Sequence, residues 1–301
     1  MFYDSENPAI ALIGLGETGT AVGNQLHKTA IRNLVPILCD TDPDRLRASP
    51  IPNKLFVESG RERADAKWHL ADAFNELPAL GELALVVTDL RTPADCELAP
   101  ILVELLAEYG LFTVVCIGLP PDLEAAQQDL ANQTMHRLQA EADSLWVYPL
   151  SETAWSQQVD QFTSAVGKLA TFGESMLGHV DFMDFKKVVS KARLTLTTAR
   201  ARGQSRSAEI MQELTRQLNQ QLATSESGVY RVLLVMSYSD DKPLLVREHV
   251  DLSNWVSDVV KTEPRMFKLG MFADPEQGEW LDVSVLIGMP VTDASAGQTS
   301  R

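Results

Sequence analysis

"LIGLGETGTAVG", residues 12–23, runs from an apolar segment into Gly14, Gly16 and Gly19 with the spacing G-x-G-x-x-G. Glycines at a strand-to-helix turn let the backbone approach a phosphate, and the start of the helix adds unpaired N–H groups with partial positive charge. The same spacing also serves tight packing of a strand on a helix. A dinucleotide fold makes one further demand, an acidic residue at the end of the second strand, about 20 residues on, to receive the ribose hydroxyls. Asp40, closing "VPILCD", meets that demand. One reading is therefore an NAD-dependent oxidoreductase using Gly14, Gly16, Gly19 and Asp40, although no segment after residue 60 supplies a recognisable hydride-transfer site.

Outward from this loop, short apolar runs alternate with helical stretches through "LALVVT", "APILVELLAEYG", "LFTVVCIG" and "SLWVYP". Runs apolar on both faces and separated by helices predict a parallel sheet in a doubly wound α/β layer over residues 1–150. In the next segment, Trp155, Val159, Phe162, Val166 and Leu169 are spaced four, three, four and three, which puts them on one stripe of a helix. With Ser151 and Glu152 as its cap and Gly178 as its stop, that helix has about 25 residues and a length of about 38 Å. It fills residues 151–179 as a rod between domains. A smaller α+β domain is expected over 180–290, with a basic strand near "ARLTLTTARA" and hairpin-like strands at "RMFKLGMFAD" and "WLDVSVLIGM". The polar residues 291–301 read as a disordered tail.

The 301 residues carry a net charge of −15 with 45% hydrophobic content. That balance argues against a nucleic-acid partner, which demands a basic surface. No apolar run reaches the roughly 18 residues of a membrane span, and the acidic start is unlike a signal peptide, so cytoplasmic residence without membrane insertion is expected. Cys39, Cys96 and Cys116 are too scattered for a disulfide framework or, with the dispersed histidines, a metal site. One segment departs from the acidic trend: Lys186 to Ser207 holds seven basic residues and no acid. It reads as a solvated strand and loop, or as a contact surface for an acidic partner.

The order of these pieces resembles the bacterial tubulin homologue FtsZ over nearly the whole chain, from "AIALIGLGETGTAVGNQL" to "WLDVSVLIGM". "CDTDPDRL" stands where that family has an Asn-Thr-Asp loop. "APILVELLAEYGLFTVVCIGLPPDLE" resembles its helix, strand and proline-containing loop, and the long helix resembles its central helix. "GHVDFMDFKKVVS" resembles the synergy loop Asn-x-Asp-x-x-Asp, with His179 in place of Asn and with Asp181 and Asp184 at the carboxylate positions. The resemblance implies a tubulin/FtsZ-like fold, head-to-tail contacts between subunits, and synergy-loop carboxylates that reach the nucleotide of a neighbouring subunit to position the attacking water. The second reading of Asp181 and Asp184 is that they cap the helix starting near Phe185.

The family's second glycine-rich loop, whose N–H groups wrap the phosphates, is replaced by "DLRTPADCELAP". Arg91, Thr92, Pro93, Ala94, Asp95, Cys96 and Glu97 take its place, and Pro93 has no N–H to donate. Asp95 and Glu97 would face phosphate oxygens. A like charge at about 4 Å costs roughly 4 kcal/mol at an effective dielectric of 20, half of the roughly 8 kcal/mol that a micromolar affinity represents. Thr92 as N-cap, Pro93 at the first helical position and Asp95 three residues after the cap predict instead a capping box that satisfies the helix end internally. The family's nucleotide-reading asparagines fall on Ala21, Leu150 and Val159, and Glu17 enters the first glycine loop. Arg91, or Arg61 with Arg63, would be the side chains to recover anion affinity.

The expectation that follows is a pseudo-GTPase of FtsZ type with no cofactor, acting in cell division through contacts with itself or with an FtsZ-family protein. Gly14, Gly16, Gly19 and Asp40 would be vestiges of its nucleotide site. The alternatives are an active, filament-forming GTPase that binds GTP or GDP, and the oxidoreductase above.

Overall fold

The computed structural model describes residues 10–29, 31, 34–77, 80–150, 155–173, 181–222, 230–259, 264–274 and 277–290. The chain divides into two compact units, Met1–Ser175 and Met176–Arg301.

The first unit opens with β1 (Ile10–Leu15), α1 (Gly16–Leu26), β2 (Leu34–Asp40), α2 (Pro43–Ala48), β3 (Asn53–Phe56) and α3 (Arg63–Asn75). It continues through β4 (Leu83–Thr88), α4 (Pro93–Glu108), β5 (Phe112–Leu119), α5 (Ala125–Glu141), β6 (Ser144–Pro149) and α6 (Trp155–Gly173). Its strands are all parallel, in the order β3-β2-β1-β4-β5-β6. Every residue of β1 and β4 is buried, as a sheet covered by helices on both faces requires. Ala11, Ile13 and Leu15 of β1 share one core with Leu70 of α3, Leu102 of α4 and Leu138 of α5. On the opposite face Phe162 of α6 stacks on Tyr148 at 5.5 Å. A Cβ at Gly118 of β5 would lie 2.8 Å from the Phe162 ring, so the helix and strand meet there at glycine distance.

The apolar stripe predicted for the long helix is the buried face of α6: Val159, Phe162, Val166 and Leu169 are all nearly inaccessible. Ser151, Glu152 and Gly178, read as its cap and stop, lie outside the described residues, as do His179 and residues 291–301. Two short elements, α2 and β3, carry no apolar period and are not foreseen in the sequence.

The second unit contains α7 (Phe182–Val189), β7 (Ala192–Arg202), α8 (Arg206–Leu222), β8 (Arg231–Tyr238), α9 (Val246–Val259), β9 (Met266–Ala273) and β10 (Trp280–Pro290). Its strand order is β7-β10-β8-β9. Ile210, Leu214 and Leu218 of α8, four residues apart, and Leu252 and Val256 of α9 pack onto Val232, Leu234, Val283 and Val285. The expected hairpin of the last two strands is corrected here. β9 runs parallel to β8 after the α9 crossover, whereas β10 lies antiparallel between β7 and β8. The burial patterns give the reason: β10 is almost wholly buried and takes two neighbours, while β9 is only half covered and occupies an edge.

Candidate functional site: a crevice closed by its own carboxylates

In the first unit, β1 and β4 lie side by side while the chain continues from them to opposite halves of the sheet, so their carboxyl ends form the topological switch point at which doubly wound folds bind ligands. Gly14, Gly16, Gly19, Asp40 and the 91–97 turn all lie at or beside this point. Glycine is demanded there by packing. A Cβ at Gly14 would stand 2.2 Å from the Gly19 carbonyl oxygen, and one at Gly19 would stand 2.4 Å from the Val87 carbonyl oxygen. Gly14→Ala is accordingly expected to lower stability by about 2 kcal/mol or more, because the obstacle is backbone and cannot swing aside. Urea unfolding checks this; a midpoint equal to wild type would show that β1 and α1 can separate freely.

Gly16 has φ +70°, in the region where glycine is favoured, and a Cβ on it would lie 2.4 Å from Oδ1 of Asp95. The Asp95 carboxylate is thus packed directly on the first residue of α1, whose N-cap, Leu15, offers no side-chain acceptor. The turn before α4 is closed by its own bonds. The Thr92 Oγ1 accepts from the Asp95 N–H at 3.1 Å and donates to its carboxylate at 2.7 Å, while the Thr92 N–H points to the same carboxylate at 3.4 Å. This is the capping box that the sequence predicts, with Pro93 at the first helical position. Residues 93–97 are helix rather than an open loop.

Asp89, which sequence reading passed over, completes the group. It is 3% exposed, and accepts from Thr18 Oγ1 at 2.6 Å and from the Arg91 N–H at 3.0 Å. Asp40 is 2% exposed and held by Arg45 Nη1 at 2.7 and 3.0 Å, with the Asp42 N–H donating to it at 2.9 Å. Burial pushes the Asp95 carboxyl up to about 6, and the charges of Asp89 and Asp40 push in the same direction. The switch point therefore holds three buried carboxyl groups, of which Asp40 is matched by Arg45.

Outside it is a hollow of about 370 Å³ lined by Glu17, Arg91, Asp122, Trp155 and Gln158. Arg91, a candidate to recover anion affinity, is engaged. Its Nε lies 3.6 Å from Asp89, its Nη2 lies 3.5 Å from Asp122, and its guanidinium sits 5.4 Å from the Trp155 ring centre. Cys96 is buried, its thiol aimed at the Leu90 carbonyl at 3.4 Å and its pKa raised by burial. Glu97 is exposed on the outer side of the turn.

In the second unit, Asp181 is the N-cap of α7 and accepts from the Asp184 N–H at 2.7 Å, so the helix starts at Phe182, three residues earlier than expected. Asp184 is buried and ion-paired to Lys268 of β9 at 2.9 Å, with Lys187 at 3.8 Å. The basic segment is largely engaged as well. Arg200 and Arg202 lie over the Trp280 ring at 4.3 and 5.1 Å, and Arg206 is buried against Glu248. Among the described residues no group of three His, Cys, Asp or Glu side chains is arranged for a metal ion, and no helix is long and apolar enough to cross a membrane.

A parallel nucleotide-type unit that ends in a long helix, followed by a smaller unit with a mixed sheet, defines the tubulin/FtsZ fold. Among solved structures, an empty FtsZ dimer from M. jannaschii is similar with a TM-score of 0.78 at 18% identity, covering 95% of this chain and 89% of that one. A point mutant of M. jannaschii FtsZ gives 0.77 at 18% identity, covering 94% and 91%. CetZ from Methanosaeta thermophila strain DSM 6194 gives 0.72 at 16% identity, covering 93% and 86%. The chain thus has an FtsZ-like fold with a divergent sequence. No family model matches it, and a search of curated proteins finds no relative.

Proposed function

We propose that this protein is a pseudo-GTPase of FtsZ type that works through protein contacts, with itself or with an FtsZ-family subunit, in cytoplasmic cell division. The observation that carries the reading is the Asp95 carboxylate packed on Gly16, where the glycine turn of the fold would receive a phosphate. Asp89 and Asp40 add negative charge beside it, and the capping box consumes N–H groups that a phosphate would need. Asp181 caps α7 and Asp184 pairs with Lys268, which gives both carboxylates a role in holding α7 in place. Self-association is supported by the likeness to the FtsZ dimer of M. jannaschii.

Calorimetric titration with GTP, GDP and NAD in parallel, joined to sedimentation velocity over a range of protein concentrations, tests this. The expected result is no micromolar nucleotide binding, with self-association, or association with added FtsZ, that is indifferent to nucleotide. Micromolar GTP binding with magnesium-dependent hydrolysis would overturn it.

A further inference from the structure

The first unit has a larger cavity on the other side of the first turn of α4, with a volume of about 530 Å³, within the range of small-molecule sites. Ala94, Glu97, Leu98 and Ile101 line it, the spacing of one helix face, whereas Asp95 turns the opposite way onto Gly16. Its floor is apolar: Val57, Ala66, Leu98 and Ile101 are each at most 5% exposed. Pro100 also lines it and brings no N–H to the helix ladder, so the carbonyl of Cys96 loses its usual partner at this wall.

Three arginines converge on that floor from separate elements: Arg61 from the turn before α3, Arg63 from its first residue and Arg137 from α5. Glu58 and Glu97 are the carboxylates in the lining. Each guanidinium is tied at a single nitrogen among the described residues: Arg61 Nη2 to Glu58 at 3.0 Å, Arg63 Nη2 to Glu104 at 2.5 Å, and Arg137 Nε to Glu141 at 2.8 Å. A guanidinium carries five N–H donors in a rigid fork, so each of these pairs leaves donors for a second acceptor. Glu58, Glu97, Glu104 and Glu141 balance the three positive charges, so what the hollow offers an anion is directed N–H donors rather than a net positive field.

We propose that this cavity binds a small organic anion, a phosphate ester or carboxylate carried on an apolar body. The head lies among Arg61, Arg63 and Arg137, and the body lies on Leu98 and Ile101. The cavity shares the first turn of α4 with the glycine crevice but opens on the face away from Gly16, and it does not depend on the function proposed above.

Calorimetric titration of the full chain with phenyl phosphate, phenylacetate, benzyl alcohol and inorganic phosphate tests it. Binding of either aromatic acid is expected, and the stronger of the two names the head group. Benzyl alcohol and inorganic phosphate, each lacking half of the chemistry, are expected to bind at least tenfold more weakly. The double substitution Arg61→Gln/Arg137→Gln should weaken the acid at least tenfold, and either single substitution, at a partly exposed side chain, should do so in smaller measure. Asp95→Asn, on the crevice side of α4, should leave it unchanged. The proposal is overturned if neither acid binds, if benzyl alcohol or inorganic phosphate binds as tightly, if the arginine variants retain full affinity, or if Asp95→Asn abolishes binding.

Discussion

At pH 7.5 the Asp95→Asn variant is expected to be more stable than the wild type by about 1–3 kcal/mol, with roughly half of the difference gone at pH 5 and most of it at pH 4. Asp95 is 6% exposed, and its carboxyl is raised from an ordinary 3.8 to about 6 by burial, with Asp89 and Asp40 adding to the shift. The folded state therefore holds a proton more tightly than the unfolded chain. The stability that this proton confers is complete below the unfolded value and is lost as pH rises through the folded one. A shift of about two units at about 1.4 kcal/mol each sets the upper limit. The amide keeps an oxygen to accept from Thr92 Oγ1 and removes a like charge from the neighbourhood of Asp89. Urea unfolding of both proteins between pH 4 and 8 isolates the effect, since carboxylates with lowered pKa, such as Asp42 and Glu104, contribute equally to both. A variant no more stable at pH 7.5, with the wild-type pH slope, would mean that Asp95 is ionised without penalty.

The same residue shows how far the sequence could be read. The capping box was legible because Thr92, Pro93 and Asp95 are neighbours in sequence and their bonds are local. The stripe of α6 was legible because a helix repeats its buried face every three or four residues. That Asp95 lies on Gly16 is a contact between turns 79 residues apart, and no local pattern announces it. Asp89 is illegible for the same reason, since it lies in the turn after β4 and its partner Thr18 belongs to α1, 71 residues earlier. The pairing of β10 between β7 and β8 also escaped, because strand adjacency depends on which edges are left to cover rather than on chain order. The comparable apolar content of β9 and β10 hid their different burial.

Arg206→Met is expected to destabilise the second unit by about 3–5 kcal/mol, the usual cost of leaving one partner of a buried pair behind. Its sequence context, the last cation of a basic run, suggests a solvated charge. The side chain is instead 6% exposed and its partner Glu248 3% exposed. Nε and Nη2 donate to the two carboxylate oxygens at 2.8 and 2.9 Å, and Nη2 also donates to the Pro243 carbonyl at 2.8 Å. The arrangement fastens the start of α8 to the start of α9, because Glu248 also accepts from the Leu245 N–H at 2.9 Å. Removing the arginine leaves a carboxylate that must either find water in a packed interior or take up a proton. Arg206→Lys does not restore the fork, since an ammonium cannot meet both oxygens and the carbonyl in one plane. The double substitution Arg206→Met/Glu248→Leu removes both charges, and its deficit is expected to shrink to about 1–2 kcal/mol, chiefly the lost cap at Leu245 and the lost donor to Pro243. Urea unfolding of the two single variants and the double variant gives the coupling directly. Additive losses would mean that the two side chains act independently, and that α8 and α9 are held together by Trp255, Leu214 and their apolar neighbours alone.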